Sequence, residues 1–216
     1  MGVLMMLMTV GGLIFAVVLL TIAFWTKKSW LKHFVFGGVT VWFIAYAFLF
    51  FTASFFSQEQ TLGFNEPKEF CGFYFDCHMH TAVTDMQKTK TFGGKTATGE
   101  FYIVKIKVSS DAKREPLNLT APNFEVLDES GKRYPRDTSL EKPEPSWEEK
   151  VPAGGSFEKE IVFDLPENVQ NPRLDASEGY GVDKVIEAVL IGDEDSIGHK
   201  RAFFKLENSQ QTAHLQ

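Results

Sequence analysis

Cys71, Cys77, His78 and His80 put two sulfurs and two imidazoles close together in the chain, and these are the donor types that hold zinc or copper. On a strand, His78 and His80 project from one face and Cys77 from the other, so the four donors converge only across a bulge. The same cysteines can instead close a small disulfide loop, which needs an oxidising compartment. The disulfide Cys71–Cys77 is the expected arrangement, with the metal set Cys71, Cys77, His78 and His80 as the alternative. Further on, Asp193, Glu194, Asp195, Ser196 and His199 could bind Ca²⁺ through carboxylates or run acid–base chemistry. They equally suit a polar turn whose side chains bond their own backbone, and the turn is expected. The chain has no Gly-x-Ser-x-Gly and no phosphate-binding glycine loop, and Gly93-Gly94 follows a Lys/Thr stretch without a strand-to-helix switch. The expectation is a non-enzyme with no catalytic residue and no bound cofactor.

Charge is distributed unevenly, and the division is informative. The chain has 216 residues and a net charge of -6. Residues 1–56 carry only Lys27, Lys28 and Lys32 as ionised side chains, a charge of +3, which leaves the rest at -9. An acidic remainder of this kind lacks the clustered Lys and Arg that phosphate contacts require, so nucleic acid is excluded as a partner.

Val3 to Trp25 is 23 residues without an ionisable side chain, and Phe34 to Phe56 is another 23. At 1.5 Å rise per residue each spans roughly 35 Å, enough to cross a bilayer. A buried hairpin of a soluble protein would show a polar stripe. A cleaved signal peptide would show a basic start and a small-x-small site, and neither is present. The lysines all lie in the connection Thr26 to His33, flanked by Trp25 and Trp30. Positive charge in a short loop places it in the cytoplasm, with both ends of the hairpin on the other side. The expected location is a bacterial inner membrane, cytoplasmic or intracytoplasmic, with both termini and the following domain periplasmic. Neither span contains Asp, Glu, Lys, Arg or His, so a proton relay or ion path within the pair is not expected. Gly12 and Ala16 allow close helix approach, and the aromatic second span, with Trp42, Phe43, Tyr46 and Phe50, offers a surface for partner helices.

Residues 57–69 read as a linker, 70–206 as one β domain, and 207–216 as a tail. Alternating segments predict strands over 73–86, 100–109, 124–127, 157–165, 185–191 and 201–206. Tyr102, Val104, Ile106 and Val108 share one parity, with Ile103, Lys105 and Lys107 on the other. Phe157, Ile161, Phe163 and Leu165 do the same, with Lys159 as the exception. Asp128-Glu129-Ser130-Gly131 before Tyr134 is a hairpin signal. Residues 136–155 and 168–181 read as long connections, the first with an amphipathic turn around Trp147. The fold class is therefore an N-terminal transmembrane α-hairpin followed by an all-β, immunoglobulin-like antiparallel sandwich.

The order Gly99-Glu100-Phe101-Tyr102-Ile103-Val104, Val108-Ser109-Ser110, Phe124-Glu125-Val126-Leu127-Asp128, then Val162-Phe163-Asp164-Leu165-Pro166 and Ile191-Gly192-Asp193 resembles bacterial extracytoplasmic immunoglobulin-like domains of unknown function. The resemblance covers residues ~70–206 and implies a binding or scaffolding module without a catalytic set. Two spans with an external β domain are also similar to subunit II of cytochrome oxidases, but that family's cysteine spacing and C-terminal His and Met ligands are missing here. The resulting expectation is an accessory subunit of a respiratory or photosynthetic complex. Its partners would be other integral membrane subunits and the lipid bilayer. The alternatives are a copper-binding electron-transfer protein and an extracytoplasmic ligand-binding or sensor module.

Overall fold

The structure is a computed structural model and describes residues 2–70 and 77–207. Two compact units emerge: Met1–Gln58 with Val182–Arg201, and Glu59–Gly181 with Ala202–Gln216.

In the first unit, α1 (Gly2–Trp25) and α2 (Ser29–Phe56) form a hairpin. Both are long and apolar enough to cross a membrane, and only 6% of each apolar window is buried within the chain. A core helix of a soluble protein would be mostly covered. The hairpin is closed internally by Ala16, Ala23 and Val35 and by a hydrogen bond from Trp42 Nε1 to Thr9 Oγ1 at 3.0 Å. Thr9, Thr21 and Thr52 each donate to the carbonyl four residues earlier, which satisfies their hydroxyls within the helix.

The second unit is a sandwich of two sheets. One orders β2 (Lys68–Phe70), β3 (Met79–Phe92), β4 (Lys95–Ser110) and β7 (Ser156–Leu165). The other orders β1 (Gln60–Leu62), β9 (Ala202–Lys205), β8 (Arg173–Ser177), β5 (Asn123–Leu127) and β6 (Arg133–Pro135). All pairings are antiparallel except β1 with β9. The β3–β4 turn is Gly93-Gly94, both at positive φ (56° and 77°), the conformation that a two-residue hairpin demands and that glycine adopts without steric cost.

The alternation in β4 sets the register of the core. Tyr102, Val104, Ile106 and Val108 are all buried against Ile161, Phe163, Phe124, Val126 and Leu174. On the opposite parity, Lys105 lies across from Asp85 and Glu160, and Lys107 across from Glu158, a favourable pairing of opposite charges. The odd member of β7, Lys159, is buried but not stranded. Its Nζ donates to the carbonyls of Pro143 (3.1 Å) and Pro145 (2.6 Å) and stands 5.2 Å from the Trp147 ring.

Three sequence expectations are corrected. Residues 185–191 form no strand: α3 (Gly181–Glu187) and turns occupy this region, because Val182, Val185, Ile186 and Val189 recur at helical spacing, which short β-branched runs obscure. The expected connection 168–181 contains β8, whose Leu174 and Ala176 face the core while Asp175 meets Arg133 at 3.3 Å. The expected linker 57–69 carries β1 and most of β2. There Lys68, polar in the sequence, is buried with Nζ donating to Ala176 O (2.8 Å) and Ala202 O (3.1 Å).

Candidate functional site

At one end of the β3–β4 pair, the ladder continues one step past Ser110, with the Asp111 amide donating to His78 O at 3.1 Å. This brings the Asp111 carboxylate beneath both histidines. Nδ1 of His78 donates to Asp111 Oδ1 at 2.6 Å, and Nε2 of His80 lies 3.6 Å from the same oxygen. The shared parity of His78 and His80 gives them this common partner, which the residue pattern alone did not single out because Asp111 is remote in the chain. The hydrogen bond from His78, reinforced by the charges of both rings, holds the Asp111 carboxyl below its ordinary value despite some burial.

Cys77 is disulfide-bonded, while Cys71, the other cysteine of both expected arrangements, lies outside the described residues. An oxidised sulfur is no thiolate ligand. A metal with bonds of roughly 2.0–2.2 Å holds its donors about 3 Å or more apart, so the 2.6 Å His78–Asp111 contact is a hydrogen bond with no space for an ion between. Among the described residues no group of three metal-ligating side chains is assembled. Cys77, His78 and His80 therefore do not converge as a metal set there.

The Asp193 group forms a self-contained turn. Asp193 Oδ1 accepts from the Asp195 amide (2.9 Å), its carbonyl accepts from the amide (3.2 Å) and hydroxyl (2.7 Å) of Ser196, and Asp195 is ion-paired with Arg201. Burial pushes the Asp193 carboxyl above its ordinary value, outweighing the Asp195 hydrogen bond.

These carboxylates have opposite pH consequences. Asp128 accepts from the Ser130 hydroxyl and the Ser130 and Lys132 amides, and Asp137 accepts from Ser139. These bonds hold both below the ordinary value of 3.8. Each contributes stability that is complete above that value and lost as the pH falls through the folded-state value. Asp193 has the reverse sign: with its folded value raised, its ionisation weakens the turn as pH rises, and the turn tightens on mild acidification. The denaturation midpoint of the full chain in mild detergent is therefore expected to drop below about pH 4. Asp193→Asn, which retains an acceptor for the Asp195 amide, is expected to leave stability unchanged or higher at pH 7.

The six residues expected to pack partner helices divide into two groups. Gly12, Trp42 and Phe43 line an open groove of about 240 Å³ on the hairpin with Met8, Gly38 and Val39. Ala16, Tyr46 and Phe50 are used within the first unit. Ala16 is buried in the hairpin, Phe50 is buried near the end of α2, and Tyr46 donates its hydroxyl to Val189 O at 2.7 Å.

No curated protein matches the chain. Solved structures similar to it include the secreted protein MPT63 of Mycobacterium tuberculosis, at 10% identity over 68% of this chain and 98% of that one, TM-score 0.42. The yjhA protein of Bacillus subtilis is similar at 12% identity over 67% and 98%, TM-score 0.42. A third is an uncharacterised β-sandwich protein of Clostridium difficile, at 9% over 70% and 96%, TM-score 0.40. Residues 75–186 match the family described as Domain of unknown function (DUF4352); this is just over half of the 216 residues, and the chain belongs to that family.

Proposed function

We propose that this protein is a membrane-anchored, non-catalytic accessory module. The α1–α2 hairpin crosses the bilayer with its lysine loop in the cytoplasm, docks against helices of other membrane subunits, and holds the DUF4352 sandwich on the extracytoplasmic face. The observation that carries the reading is the uncovered apolar flank of both helices. Leu4, Ile14, Phe15 and Val17 on α1, and Phe34, Val41, Ile44 and Phe48 on α2, are all exposed, a patch far larger than soluble monomers present to water. Lys27, Lys28 and Lys32 support the orientation. The disulfide at Cys77 independently supports an oxidising compartment for the sandwich.

The groove at Gly12 and Gly38 supports the docking step. A side chain built at either glycine meets nothing within 4 Å, so the hairpin itself does not need these residues to be small. Backbone approach by another helix would. The host is an assembly of membrane subunits; respiratory and photosynthetic complexes are the class expected from the sequence, and the groove does not select among them. The carboxylates and imidazoles described above act within turns and strand ends, which supports a bracing role over catalysis.

The test is purification in mild detergent. The native chain is expected to co-purify with other membrane proteins, and Gly12→Leu with Gly38→Leu is expected to lose them while the chain stays membrane-bound and folded. Migration of the native chain as a free monomer would refute the docking reading.

A further inference from the structure

Segment Val182–Arg201 belongs to the hairpin unit, not to the sandwich, and it packs along the hairpin end opposite the lysine loop. Tyr46 donates to Val189 O, Ser54 Oγ to Ile197 O at 3.0 Å, and the Lys200 amide to Ser57 Oγ at 3.0 Å. The Ile191 backbone lies so close to Gly2 that an added Cβ there would meet its carbonyl at 2.5 Å.

Helix length places this contact relative to the bilayer. From Phe34, the first residue after the lysine loop, to Phe56, α2 rises about 33 Å, slightly more than the hydrocarbon thickness, and a tilt of ~20° takes up about 2 Å. The last turn of α2 therefore ends at the boundary between hydrocarbon and headgroups, and the segment packs there through Ser54 and Ser57. The Tyr46–Val189 bond lies farther into the leaflet on that side.

The segment is built for that layer. Val182, Val185 and Val189 form a stripe at helical spacing, and all three are exposed, as are Ile197 and the adjacent Phe55 and Phe56. An open apolar hollow of about 570 Å³ lies between Phe48, Phe51, Phe55 and Ile197. Part of the backbone is satisfied locally: the amides of Ala188, Val189, Leu190 and Ile197 bond carbonyls within the segment, as suits a poorly hydrated boundary. Asp183, Glu187, Asp193, Glu194 and Asp195 outnumber Lys184, Lys200 and Arg201, so attraction to anionic headgroups is not the driving force.

We propose that Val182–Arg201 is a membrane-surface segment whose valine stripe and Ile197 insert into the leaflet on the sandwich side. It would bind lipid through apolar contact and fix the hairpin end at that depth. The inference rests on the anchor reading above.

The experiment places one nitroxide label per variant on the full chain, at Val185→Cys, Ile197→Cys, Lys132→Cys or Phe36→Cys, with one chain per phosphatidylcholine nanodisc. Labels at Val185 and Ile197 are expected to be several-fold more accessible to oxygen, relative to a water-soluble nickel chelate, than the label at Lys132. The Phe36 label should likewise favour oxygen over the chelate. Val185 and Ile197 matching Lys132 while Phe36 is lipid-buried would overturn this inference alone. Phe36 in water would overturn the anchor reading itself.

Discussion

Trp147→Ala is expected to destabilise the sandwich by about 3–5 kcal/mol, the range for removing a large buried aromatic ring. Trp147 lies in a segment without regular structure, yet only 9% of it is exposed and its ring centroid is 4.6 Å from that of Phe124 in the core. Around it, Arg136 stands 5.6 Å from the ring and 3.1 Å from Glu141, and the indole N–H points to the same carboxylate at 3.4 Å. Lys159 closes the far side and holds the Pro143 and Pro145 carbonyls. Removing the ring therefore opens a cavity and releases the contacts that fix residues 136–155 on the sheet. Denaturant titration of the full chain in mild detergent measures the loss; Trp147→Phe, which retains most of the apolar surface, should lose clearly less. A drop below about 1 kcal/mol for Trp147→Ala would show that the ring is not the anchor of this region.

The second large effect concerns the hairpin. Ile14 lies near the middle of α1 and is 63% exposed. Were the hairpin in water, Ile14→Arg would be a surface substitution with an effect within about 0.5 kcal/mol. In a bilayer the same change puts a charge at mid-depth, at a cost of about 2.5–3.5 kcal/mol on insertion scales. A large fraction of the variant is expected to become extractable by alkaline carbonate, while Ile14→Leu remains in the membrane pellet. Equal retention of the two variants would contradict a bilayer-crossing α1.

The strands that alternate cleanly are legible in the residues themselves. Over residues 102–108 of β4 and 157–165 of β7 the core-side parity is apolar apart from Lys159, so the core face follows from side-chain types even though Phe101 and Val162 are buried on the opposite parity; the ordering of these motifs pointed to the family. The segments that escaped recognition lack that signal for physical reasons. β2 offers Lys68 as an inward residue, which becomes acceptable only because Ala176 and Ala202 supply carbonyls from distant strands. β8 is five residues long and holds the buried Asp175, whose partner Arg133 lies on another strand. Residues 185–191 satisfy both periodicities over a short length, and they form the end of α3 and turns. The His78–Asp111 contact was half visible: parity put the two histidines together, but their carboxylate arrives through a strand pairing that no local pattern reveals. Gly12, Trp42 and Phe43 lie on an open groove, whereas Tyr46 is claimed by Val189, 143 residues away in the chain.

The proposed anchor puts the lysine loop and the sandwich on opposite sides of one membrane. Labelling of single introduced cysteines by an impermeant maleimide in intact cells, compared with lysed cells, tests it directly. Lys132→Cys in the sandwich is expected to react before lysis and Lys27→Cys in the loop only after. Reaction of Lys27→Cys in intact cells with Lys132→Cys protected, or reaction of both, would contradict it.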